Sequence, residues 1–115
     1  MVEKHQTRQQ KRAQKAYDCV LTRGEKDEDY TQLAKRFPAL VQSCGLAQAL
    51  AFISAKEGQI GRDYIGHLSQ VMDEQGDLGE ISRKSDLMKY QRLTYEAIES
   101  ATWLKRYSEA LLGTD

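Results

Sequence analysis

The chain has 115 residues, 40% hydrophobic and 30% charged, with 17 lysines and arginines against 17 aspartates and glutamates. That length suits one domain with an ordinary core, and the balance excludes a protein that grips nucleic acid by bulk positive charge. One proline and few β-branched residues favour an all-α class over a sheet. We read residues 1–115 as a single compact bundle of about five to six helices with a long C-terminal helix.

Residues 3–22 read as the first helix, with Ala13, Ala16, Tyr17, Val20 and Leu21 on its apolar face. Nothing between Glu3 and Arg12 is apolar, so residues 1–12 read as a basic helix start that projects into solvent or docks on a partner. Gly24 suits a C-cap and Asp27 the next N-cap. The helix after it carries Tyr30, Leu33 and Phe37, and Pro38 either kinks it or opens a new helix. Leu40, Val41 and Cys44 continue the apolar face to Gly45.

Leu46 to Glu57 form another helix, with Leu46, Ala49, Leu50 and Ile53 on one face. Gly58 and Gly61 bracket a short turn, and residues 62–75 make a helix faced by Tyr64, Ile65, Leu68, Val71 and Met72. Gly76 and Gly79 flank a loop with a short turn near Leu78–Ile81. From Ser85 to Leu112 runs a helix of about 40 Å. Its stripe is Leu87, Tyr90, Thr94, Ala97, Ala101, Leu104, Ser108 and Leu111.

Cys19 and Cys44 fall at core positions and read as reduced thiols of a cytoplasmic protein. The first residues have no apolar leader, and no apolar run approaches the roughly 20 residues that span a bilayer, so no membrane partner is expected. His5, Cys19, Cys44 and His67 form no paired ligand motif, so neither a metal nor another cofactor is expected. Nothing sets a histidine against a thiol, and Glu96 and Glu99 read as solvent decoration of the last helix. No catalytic residue, enzyme activity or small-molecule substrate is expected.

The basic residues are the chemistry that remains. Arg8, Lys11, Arg12 and Lys15 recur at three and four and line one side of the first helix. Lys35 and Arg36 precede Phe37 and Pro38, and Lys105 and Arg106 follow Trp103 and Leu104. Such rows are either solvated faces or a track for a phosphodiester backbone. For Lys35 and Arg36 the plain alternative is a cationic pair at a helix end. Trp103 is the only tryptophan and is open to either core packing or an interface role.

Leu33-Ala34-Lys35-Arg36-Phe37-Pro38, then Gly45-Leu46-Ala47-Gln48-Ala49-Leu50-Ala51-Phe52 and Lys56, resemble a block of the small helical subunit of the type III-B (Cmr) CRISPR effector complex. Tyr90, Thr94, Glu96-Ala97 and Trp103-Leu104-Lys105-Arg106-Tyr107 resemble that family's C-terminal helix. The resemblance implies a non-enzymatic part of an RNA-guided antiviral complex. Copies stack into a minor filament beside the backbone subunits that hold the CRISPR RNA, and help to hold the groove for guide and target RNA. The implied partners are other effector subunits, further copies of the chain and the RNA backbone. Lys35, Arg36, Lys56, Lys105 and Arg106 lie in the matching blocks and are candidate nucleic-acid contacts. Arg8, Lys11, Arg12 and Lys15 are candidates on charge pattern alone. A stand-alone helical adaptor that binds proteins and no nucleic acid is the competing reading, and a small helical enzyme the third.

Overall fold

Each helix start is decided locally. The Thr7 side chain accepts from Gln10 N–H while the Gln10 side chain accepts from Thr7 N–H, a reciprocal cap that opens α1 (Arg8–Leu21). Asp27 caps α2 (Glu28–Cys44) by accepting from Tyr30 N–H, and Asp86 caps α6 (Leu87–Leu111) by accepting from Lys89 N–H. Between them lie α3 (Leu46–Lys56), α4 (Gly58–Met72) and α5 (Leu78–Lys84). This computed structural model describes residues 6–24 and 27–113, and every regular element among them is helical.

The six helices bear out the all-α reading and shift several boundaries. The first helix begins at Arg8, not residue 3; residues 3–5 lie outside the described residues, and Gln6 and Thr7 precede the helix. Pro38 sits inside α2 and opens no new helix. Only Glu57 separates α3 from α4, so the glycine pair read as a turn lies within a helix. Gly61 is there because α4 crosses α3 closely. A Cβ on it would lie 2.8 Å from the Ile53 carbonyl oxygen. The short turn near Leu78 is a full helix, and the long helix starts two residues late because Ser85 closes α5.

The helix α6 is the spine. The first helix lies along it in parallel, as contacts from Arg8 to Glu96 and from Tyr17 to Tyr107 show. The second is antiparallel to it on another side. Gly45 turns the chain there with φ of +86°, and Ala47 N–H donates to Tyr90 Oη at 3.0 Å. Small residues Ala97, Ser100 and Ala101 on α6 and Ala16 on α1 are buried. They let neighbouring backbones approach.

One continuous apolar cluster joins the helices, centred on Leu33, Phe37, Tyr64, Leu68, Leu93 and Leu104. The extents of 39 × 39 × 22 Å describe a slab about two helices thick. The α6 stripe is displaced from the expected one at its start: Leu93 is buried, whereas Leu87 is 70% exposed. Of the expected α1 face Ala16 and Val20 are buried, whereas Tyr17 and Leu21 are exposed, because α1 turns Arg12 and Cys19 inward beside the first two.

Candidate nucleic-acid interface

The basic row of α1 lies in the angle between α1, the first turns of α6 and the end of α4. Arg8, Lys11, Arg12 and Lys15 share one open hollow of about 380 Å³ with Arg92 and Glu96 of α6. The expected row is therefore assembled on a concave surface. Arg12, however, does not project as the basic start was expected to. It is 6% exposed, with its guanidinium 3.8 Å from Glu96 and 3.9 Å from Glu99.

Glu96 is the centre of this arrangement and is no solvent decoration. It is 4% exposed and lies 3.7 Å from Arg8 and 3.4 Å from Arg92 as well. The physical reason is the parallel course of α1, which lays two arginines across the face that carries Glu96 and Glu99. Three guanidinium groups around one buried carboxylate leave positive charge in excess at the surface. Arg92 was missed in the sequence; the i,i+4 pairing with Glu96, one residue before core Ala97, is the signal that points to it. Asp73 and Glu74 border the hollow from the end of α4, and Lys15 meets Asp73 at 3.5 Å, both side chains well exposed.

The remaining candidates fall elsewhere. Lys35 and Arg36 lie mid-helix on the exposed side of α2, so the helix-end reading does not apply to them. Arg36 reaches across to Glu57 at 3.2 Å, next to exposed Lys56 at the end of α3. Arg36 is thus paired with an acid, while Lys35 and Lys56 stay exposed on α2 and α3. Lys105 is half-buried and Arg106 exposed on α6. Arg106 shares a groove of about 770 Å³ with Trp103, Tyr95, Gln9 and Gln42. Trp103 is partly buried and stacks on Tyr107, ring centroids 5.9 Å apart and planes within 18°.

The thiols and imidazole have structural places. Cys19 and His67 border one shallow hollow, but Cys19 is buried and its Sγ–H donates to Gln70 Oε1 at 3.6 Å. Burial and the Asp18 charge push that thiol's pKa up, away from a reactive thiolate. The Tyr30 phenol and His67 Nδ1 share a hydrogen bond of 2.6 Å. Burial pushes the Tyr30 pKa up and the His67 pKa down, the latter aided by Arg23, which suits a neutral pair. Arg23 stacks over the Tyr30 ring and bonds Asp27 and Asp63, tying the α1–α2 turn to α4. Gln59 and Arg23 together hold the Asp63 pKa low. Among the described residues no group of three or more histidines, cysteines and acids could hold a metal, and no helix is long and apolar enough to cross a membrane.

The family model described as CRISPR-associated protein (Cas_Cmr5) matches residues 8–111, the span from the first described helix to the last. A relative in Thermus thermophilus, the CRISPR system Cmr subunit Cmr5, is 37% identical over 110 residues, 92% of this chain and 96% of the relative. The crystal structure of a CRISPR-associated Cmr5 family protein from the same organism superposes with a TM-score of 0.86 at 37% identity, covering 94% of this chain and 99% of that one. The resemblance read from the Leu33–Phe52 and Trp103–Tyr107 blocks thus extends through nearly the whole chain, and the chain belongs to the Cmr5 family of CRISPR-associated proteins.

Proposed function

We propose that the chain is a non-catalytic structural subunit of a type III-B CRISPR ribonucleoprotein directed at foreign RNA. It repeats in a minor filament and borders the groove that holds guide and target. One observation carries this reading: a family member related to a named Cmr subunit gathers Arg8, Lys11, Lys15 and Arg92 around one hollow, where Glu96 holds Arg8 and Arg92. Cations spaced along helices track a phosphodiester backbone and read no sequence. That suits a part whose specificity is delegated to base pairing with a guide.

In this reading Arg8, Lys11, Lys15 and Arg92 meet phosphates, and Arg12 is their buried support. Lys35, Arg36 and Lys56 form a separate contact with RNA or the guide-holding filament, and Lys105 and Arg106 another on the α6 side. Each contact is weak, and repetition along the assembly supplies the affinity. The test is to mix the purified chain with single-stranded RNA and, separately, with the other complex subunits. Feeble, salt-sensitive RNA binding together with firm incorporation into the complex is expected. A chain that ignores both is not such a subunit. One that binds partner proteins, yet is insensitive to charge reversal at Lys11, Lys15, Lys35 and Arg36, is an adaptor instead.

A further inference from the structure

Two concavities flank the first two turns of α1, and only one of them is basic. Arg8, Lys11 and Lys15 face the cationic hollow, whereas Gln9 borders the groove of about 770 Å³ on the α6 side. That groove's lining carries one cation, Arg106, and one carboxylate, Glu99, against the four cations of α1 and Arg92 that line the hollow. A phosphate chain gains little from such a surface, but an uncharged ring gains much. Its walls carry two aromatic side chains: Tyr95, 63% exposed and among the barest aromatic surfaces described, and Trp103, already stacked on Tyr107. Gln9 and Gln42 stand at its borders with paired amide donors and acceptors, the groups that match a base edge.

We propose that the Tyr95–Trp103 groove is a stacking site for unpaired nucleobases of the RNA whose phosphates lie in the neighbouring basic hollow. Aromatic rings with an arginine beside them hold single-stranded bases without regard to sequence, because every base has a π face. The groove thus divides labour with the hollow across α1, one taking charge and the other taking rings. This inference rests on the RNA-binding function proposed above and adds a second, chemically different subsite to it.

Trp103 is the only tryptophan, so its fluorescence reports the groove directly. The full chain is titrated with a short oligoadenylate and, in parallel, with inorganic polyphosphate of similar charge at one salt concentration. Quenching by oligoadenylate and none by polyphosphate is the expected result. Tyr95→Ala, at an exposed position that leaves the fold intact by circular dichroism, is expected to weaken oligoadenylate binding about fivefold or more, the smallest cost of a lost base stack. Oligoadenylate binding without quenching and without a Tyr95→Ala effect overturns the stacking site and leaves the proposed function standing. Failure to bind RNA, both alone and in the assembled complex, removes the function and this site together. A change in Trp103 emission with protein concentration alone assigns the groove to protein contact and overturns the proposal.

Discussion

Glu96 concentrates the electrostatics of the molecule in one side chain. It is nearly inaccessible and has three arginines within 3.8 Å, one of them, Arg12, also buried. Removing one member of a buried ion cluster strands the charge of the others. We expect Glu96→Ala to cost about 3 kcal/mol in urea denaturation, whereas Lys11→Ala, at an exposed residue, changes stability by less than about 0.5 kcal/mol. His67 makes a second residue-scale prediction. Its folded pKa lies below the ordinary 6.5 because burial and Arg23 oppose its charge. The unfolded chain therefore takes up a proton first as pH falls. Stability from the neutral Tyr30–His67 pair is fully present above about pH 6.5 and declines as the pH drops from there through the lower folded value. Melting at pH 8 and pH 5 checks this, and the acid loss is expected to shrink in His67→Gln.

At the scale of helices, caps and close approaches decide the boundaries. Asp27 was legible as a cap because an acid precedes a clean apolar period, and the structure uses it so. Asp86 was hidden, since no glycine or proline breaks the chain from Ser82 to Leu112 and only the fold shows that α5 ends before Ser85. We expect Asp86→Ala to cost about 1 kcal/mol by chemical denaturation, the usual worth of such a cap. Gly61 was misread because a glycine that marks a turn and one that lets two helices touch are the same letter. Its Cβ position lies 2.8 Å from the Ile53 carbonyl oxygen, a backbone atom with little room to give. Gly61→Ala is therefore expected to destabilise by about 2 kcal/mol, read from the same denaturation curves.

For the molecule as a whole, the class and core were legible from periodicity, and the basic row of α1 from its spacing. What lay beyond sequence was pairing between helices. Only the parallel course of α1 on α6 puts Arg8 and Arg12 over Glu96 and brings Arg92 into the row. Only the same packing leaves Gln9, Tyr95 and Trp103 around one groove. Lys35 and Lys56 could be named from sequence, but not the bridge from Arg36 to Glu57 that sets their neighbourhood. The fold thus separates its cations into an organised hollow and scattered exposed residues on other faces.

The salt dependence of RNA binding tests this separation most directly. Single-stranded RNA affinity is measured across a range of salt for the natural chain and for Lys11→Ala/Lys15→Ala/Arg92→Ala. Each lost phosphate contact lowers the slope of log affinity against log salt by about 0.7. The triple variant is expected to lose about 2 from that slope while melting near the parent temperature. An unchanged slope and affinity in a folded variant would contradict the assignment of the hollow to RNA phosphates.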